Sequence, residues 1–447
     1  MTATETDDSE KVWRQHLLVS KSGVPKPLLA NAMIALRDSP DWQDIIAYDE
    51  FEMTTTLEKH PPWDRMSTLE WCPRPWTPQD DLLTTNWLQT QGIAVNTATT
   101  AQAVEAVGRD RAFHPVINYL NAIKHDGVPR LDSWLSDYLG TPNDEYHATV
   151  GRCMLIAAVA RIFEPGCKVD TVPILEGPQG ARKSTTVRTL FDPWFTDELA
   201  DFGSKDAAMQ MRGVWCVEIS ELDTMSRAEI SNVKAFISRA TDRFRPPYGH
   251  RIIEAPRTCV FWGTTNKDDY LKDETGARRF WPIKVGKIDI DGLAQHRHDL
   301  WAEAVQHYRA GVAWWIVNPK VSKVAEAEQS IRYVGDPWDE QVAELVEGKD
   351  EITLSAVLNV TAGSDHSRWG QPEANRVARI LRAMGFERKQ RRIGDKRIWI
   401  YRRLVPVAVT PDNVTTFRPV TPGGPVTEKA QREQQDHHQS PLSPPVF

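Results

Sequence analysis

The stretch Ile174-Leu175-Glu176-Gly177-Pro178-Gln179-Gly180-Ala181-Arg182-Lys183-Ser184-Thr185-Thr186 decides how the rest of the chain is read. Val172 to Leu175 is a short apolar run that reads as a buried strand. A glycine-bearing loop follows, and Ser184 to Leu190 reads as a helix. Strand, glycine loop and helix are the parts of a phosphate-binding loop. Gly177, Pro178, Gln179, Gly180, Ala181 and Arg182 would cradle a polyphosphate ahead of Lys183, Ser184 and Thr185, because loop N–H groups and a helix N-terminus offer fixed positive potential. Lys183 would reach the β- and γ-phosphates of ATP, and the Ser184 hydroxyl would ligate Mg²⁺. The usual glycine just before the lysine is replaced by Arg182. If that position needs a positive φ, arginine there carries strain of roughly 1–3 kcal/mol. The plainer reading is an ordinary strand-turn-helix, so the residues downstream have to decide.

The sequence has 447 residues with 40% hydrophobic and 26% charged content, as a globular chain of several domains would have. It has no apolar run of 18 residues, so no membrane partner is expected, and the acidic, polar start does not read as a secretory signal. The five cysteines are scattered without a C-x-x-C pair, which argues against a zinc ribbon and for reduced thiols in the cytoplasm. The net charge of −7 means that any nucleic-acid contact must come from a local basic surface.

In chain order, residues 1–22 read as a disordered N-terminus. Residues 23–166 read as a mainly helical region with tryptophan anchors, in which His114 and His125 are structural rather than catalytic. Residues 167–318 alternate short apolar runs with helices, the pattern of an α/β core on a parallel sheet. Gly213 to Val217 is a strand emptying into Glu218 and Glu221, which suits Mg²⁺ holding and water orientation, although an exposed acidic turn would look the same. Cys259 to Thr265 is another strand, ending in Asn266, a residue placed to sense a γ-phosphate. Arg278 and Arg279 follow, either as a finger crossing to a neighbouring subunit's ATP or as a surface ion pair. Between these strands, Arg243, Arg245, Tyr248, His250 and Arg251 interleave cations with aromatics in a hairpin, a pattern suited to single-stranded nucleic acid.

The joint order is Gly177-x-x-Gly180-x-x-Lys183-Ser184, Glu218-x-x-Glu221, Lys234, Thr241-Asp242, Gly263-Thr264-Thr265-Asn266 and Arg278-Arg279-Phe280-Trp281-Pro282. It resembles the virulence-associated protein E (VapE)-like P-loop ATPases of phages and genomic islands, themselves similar to superfamily 3 helicases. The resemblance covers roughly Phe113 to Arg403. It implies an AAA+-like P-loop NTPase core, ATP and Mg²⁺ as cofactors, and a homo-hexamer ring around a single DNA strand. It also implies roles for Lys183, Glu218, Glu221, Asn266 and Arg279, with Arg278 second to Arg279. Lys234 through the hairpin would face DNA. Any priming activity would come from a primase or another replication protein as partner.

Toward the C-terminus, residues 319–350 read as a helical connector. Residues 351–404 read as helix, helix and hairpin, a winged-helix-like domain for duplex DNA. Between Arg376 and Arg403 stand eleven basic residues against Glu387 and Asp395 alone, an excess of nine that points to phosphate contact. Arg388, Lys389, Arg391, Arg392, Lys396 and Arg397 lie in the hairpin. Residues 405–447 read as a disordered tail. The function expected is an ATP-dependent DNA helicase or replication-initiation ATPase of a mobile element. The competing expectation is a nucleotide-gated DNA-binding protein with weak hydrolysis.

Overall fold

The computed structural model describes residues 12–64, 70–199, 205–222, 224–245, 252–271, 277–332, 337–363, 365, 369–393 and 396–404. The chain divides into two compact units, residues 1–335 and 336–447.

The first unit opens with a small sheet. β1 (Ile46–Asp49) pairs antiparallel with β2 (Thr54–Leu57) and parallel with β4 (Ala112–Phe113), and β3 (Arg74–Pro75) lies beyond β2. Helices α1 (Leu29–Asp38), α2 (Pro78–Thr90) and α3 (Thr97–Arg109) cover it. Trp42 meets Trp87 edge-on at 5.6 Å and Trp63 at 5.5 Å. This corrects one expectation and refines another. The mainly helical region also carries this sheet, which the sequence did not suggest, and residues 12–22 are not outside the fold, because Trp13 is buried against α1 and α2.

Helices α4 (Pro115–Ala122), α5 (Trp134–Leu139) and α6 (Glu145–Phe163) lead into the main sheet. His114 caps α4, its Nδ1 accepting from the Ile117 N–H at 3.3 Å, the structural role its sequence context suggested. The sheet has five parallel strands in the order β11 (Phe280–Lys284), β5 (Val172–Glu176), β10 (Val260–Thr265), β7 (Cys216–Ile219), β6 (Phe195–Thr196). Helices sheathe both faces, so the strands read as continuous apolar runs. Leu175, Cys216 and Trp262 face α6, α7 (Lys183–Phe191) and α10 (Ile290–Arg309). Ile174, Val217 and Phe261 face α9 (Arg227–Ile237) on the other side. Between α7 and α9 lies the short α8 (Lys205–Gln210). Trp215 and Trp301 pack 4.3 Å apart, and each indole N–H finds a carbonyl, of Ala158 and Leu190 respectively.

The expected connector is divided. Its first half, α11 (Pro319–Ile331), belongs to the first unit, where the buried Gln329 donates to the Phe280 carbonyl at 2.8 Å. The second unit holds α12 (Asp339–Val346), α13 (Leu354–Thr361) and α14 (Gln371–Ala383). Its antiparallel sheet runs β12 (Glu351–Thr353), β14 (Lys396–Arg403), β13 (Phe386–Ile393). The first helix expected after residue 351 begins at Leu354, because Glu351–Thr353 pairs with β14 and Thr353 caps the helix. The expected tail lies outside the described residues.

Candidate nucleotide site

Three parallel strands deliver the site. β5, β7 and β10 end at the same edge of the sheet, where loops leave the strands' carboxyl ends. Gly263 lets the strands close up: a Cβ there would sit 2.4 Å from Ile174 and 2.5 Å from Leu222.

The loop after β5 turns through Gly180 at φ 80° and Arg182 at φ 64°. The positive φ conjectured for the pre-lysine position is therefore present, on a residue with a Cβ. Arg182 is the N-cap of α7, and its side chain makes no capping hydrogen bond. That helix end is open to an anion. Lys183 begins α7, one residue earlier than expected, and is buried. Its Nζ donates to the carbonyls of Gly177 (2.8 Å) and Pro178 (2.9 Å) and to Asn266 Oδ1 (2.9 Å).

Glu218, on β7, is 2% exposed. Its Oε1 accepts from Ser184 Oγ at 2.6 Å and Thr264 Oγ1 at 2.7 Å, while its Oε2 is buried with no hydrogen-bond partner. Glu221 lies past the strand end, exposed, with φ 51°. Thr224 donates both its N–H and its hydroxyl to the Glu221 carbonyl, each at 2.9 Å, fixing that turn. The two acids thus differ: one is buried on the Ser184 hydroxyl, the other is at the solvent edge. Among the described residues, no group of three or more His, Cys, Asp or Glu is placed to hold a metal ion. Glu218 Oε2 beside the Ser184 hydroxyl nevertheless fits a divalent cation completed by phosphate oxygens and water.

Thr264 and Glu176 also join the site, beyond the residues expected from the sequence. Thr264 was readable, since it lies two residues before Asn266 and so on the same strand face. Glu176 is fully buried at the foot of the glycine loop. Arg332 grips it with Nε and, at 2.7 Å, with its second nitrogen, and Tyr270 donates its hydroxyl at 2.7 Å. Burial works against the Arg332 charge, yet the hydrogen bonds it donates to Glu176 hold its pKa above the ordinary arginine value. Burial likewise drives the Tyr270 phenol well up.

Arg279 does not join this cluster. β11 pairs with β5 as Phe280↔Val172, so Arg279 lies at the opposite end of β5 from the loop. Its Nε donates to Ser238 Oγ at 3.1 Å and lies 3.9 Å from Asp170. Arg278 is exposed beside it.

The basic residues divide. Lys234 was expected to face DNA, but it is 7% exposed on α9, with Nζ 5.6 Å from the Phe280 ring. It occupies the i+4 place of the Ile230, Val233, Ile237 stripe, so it is a core position and not a DNA contact. In the hairpin of β8 (Thr241–Phe244) and β9 (Ile253–Pro256), Arg243 pairs with Glu254 at 3.0 Å and Arg245 is exposed. Asp242 anchors this hairpin by a bidentate buried pair with Arg257, at 2.6 and 2.8 Å. Tyr248, His250 and Arg251 lie outside the described residues. In the second unit, Arg388, Lys389, Arg391 and Arg392 are exposed on β13. Lys396 and Arg397 stand on β14, but their side chains are not among those described.

No helix is long and apolar enough to cross a membrane, among the described residues. No curated protein matches the chain. Solved structures of the NrS-1 C-terminal region are similar at low identity. Its apo structure (305–718) shares 12% identity at a TM-score of 0.42, covering 80% of this chain and 95% of that one. An A-form apo structure shares 10% at 0.44, covering 80% and 96%. Residues 120–334, which hold the main sheet and the whole cluster around Lys183, match the virulence-associated protein E-like domain.

Proposed function

We propose that the chain is a P-loop ATPase that acts on DNA, a helicase or replication-initiation motor working as a ring. The observation that carries this reading is the meeting of Lys183, Ser184, Glu218 and Asn266 at one edge of a parallel sheet, beside a helix N-terminus that no side chain caps. In open α/β sheets, ligands bind at this carboxyl edge, where neighbouring strands connect in opposite directions.

ATP with Mg²⁺ supplies a phosphoryl group polarised for in-line attack. Loop and helix N–H groups would hold the phosphates, and Lys183 would exchange its carbonyl partners for phosphate oxygens. Ser184 and Glu218 would hold the cation. Asn266 would stay within reach of Lys183 and the reacting end, and Glu221, at the solvent edge, would orient the attacking water. Arg279, just before β11, sits too far from its own loop to serve it, so in this reading it serves a neighbour's. The second unit, a winged-helix-like module, would contact duplex DNA through β13 and β14, and the β8–β9 hairpin would face a strand in the ring.

The alternative is a nucleotide-gated DNA binder with weak hydrolysis. It draws on Arg182, whose left-handed backbone puts a bulky cation where a glycine is usual. A DNA-stimulated ATPase assay coupled to strand unwinding, on wild type and Lys183→Ala, decides between them. Turnover with unwinding, both lost in Lys183→Ala, supports the motor. Binding without turnover supports the switch, and turnover undiminished by Lys183→Ala removes the nucleotide site assigned above.

A further inference from the structure

The two faces of the β13–β14 hairpin are not alike. Alternation along the strands and the pairing Glu387↔Arg402, Lys389↔Ile400 put Glu387, Lys389, Arg391 and Arg402 on one face. There the cations are matched by acids: Lys389 with Glu387 at 3.2 Å, and Arg391 and Arg402 with Glu351. The pairs Arg388↔Tyr401 and Gln390↔Trp399 put these four residues on the other face, with Phe386 and Arg392. No carboxylate of either strand belongs to it, since Glu387 is the only acid in β13 or β14.

This second face changes character along its length. At its base, Phe386 and Tyr401 are buried in the unit's core. Two residues farther out the hairpin has passed the core, and Trp399 is 51% exposed. The Arg388 guanidinium lies 4.3 Å from the Trp399 ring centroid, a cation–π contact that covers at most one side of the ring. An indole half in water, flanked by a guanidinium and a carboxamide and free of strand carboxylates, matches the surface that binds nucleobases. Every base has a π-face to stack, and the adjoining cations meet the phosphates.

We propose that Trp399, with Arg388 stacked on it, is a platform for an unpaired DNA base, so that the hairpin that contacts duplex DNA also engages the adjoining single strand at a junction. This rests on the reading of the second unit as a DNA module. It is independent of whether the chain hydrolyses ATP.

The test measures equilibrium binding of the full chain, without nucleotide, to a labelled blunt duplex and to the same duplex carrying a single-stranded tail. Base–aromatic stacking is typically worth about 5–150-fold in affinity per base. Trp399→Ala should weaken tailed-duplex binding within that range, change blunt-duplex binding less than about twofold, and leave the salt slope unchanged, because stacking releases no counterions. Trp399→Phe, which keeps a ring, should stay near wild type. Equal losses on both probes, or a lowered thermal midpoint for Trp399→Ala, would make Trp399 a packing residue and overturn the proposal. So would tailed-duplex binding within twofold of wild type. If the wild-type chain binds neither probe, the DNA reading of the unit falls together with this one; binding indifferent to Trp399 removes this one alone.

Discussion

Ser184 Oγ donates to Glu218 Oε1 at 2.6 Å across two neighbouring elements, the start of α7 and the end of β7. Thr264 donates to the same oxygen, and the other carboxylate oxygen is buried without a partner. A buried acceptor left unpaired typically costs about 1–3 kcal/mol, more when charged. That cost is offset if a cation binds there.

Glu218→Gln therefore separates a functional acid from a structural one. The amide keeps the shape and removes the charge, so the unliganded protein should melt at the wild-type temperature or above. ATP turnover should fall by about 10²-fold or more, the scale of a lost metal ligand. Mg²⁺-dependent stabilisation by ATP in thermal melts should vanish. Turnover retained alongside a clearly lowered melting temperature would make Glu218 a packing residue.

Arg279 gives a second prediction. Five residues of β5 separate its register position from the loop, roughly 20 Å at strand rise. Arg279→Ala should keep ATP binding and lose turnover by about 10³-fold or more, as arginine fingers do. Mixed with Lys183→Ala subunits, it should recover part of that rate, since one variant brings an intact loop and the other an intact arginine. The absence of any rescue in verified mixed oligomers counts against action between subunits.

Arg182 gives a third. A non-glycine residue at φ 64° carries strain, and glycine would relieve it. Relief and the added flexibility of the unfolded chain partly cancel, so Arg182→Gly should stabilise by no more than about 1 kcal/mol. Steady-state turnover should rise if strain or bulk at Arg182 limits the motor. A fall would instead assign the guanidinium a contact with the nucleotide.

Much of this site was legible in the sequence because its parts are local. A glycine loop, an acid ending an apolar strand and an asparagine ending another are each read within a few residues, and Glu218 and Asn266 do meet the Lys183 loop. The N-terminal sheet was not legible, because its strands are two to four residues long and too short to show a period. Lys234 misled because a basic residue near a basic hairpin suggests nucleic acid, while its helical position next to Ile230, Val233 and Ile237 says core. The Glu176–Arg332 pair left no local trace, as its members lie 156 residues apart.

That pair supports the last prediction. Glu176 immediately precedes Gly177, and Arg332 follows the final turn of α11, so the ion pair ties the foot of the loop to the helix that closes the first unit. Removing one partner of a buried pair leaves a charge without compensation, typically at about 3–5 kcal/mol, whereas replacing both with apolar residues is often neutral. Arg332→Met should destabilise the first unit by that amount in chemical denaturation. Glu176→Met with Arg332→Met should recover most of it, Tyr270 being then left with an unmet hydroxyl worth about 1 kcal/mol. If the pair only holds the fold, the double variant also regains nucleotide affinity. If the charge on Glu176 positions the loop, stability returns while affinity stays low, and nucleotide titration of the two variants tells these apart.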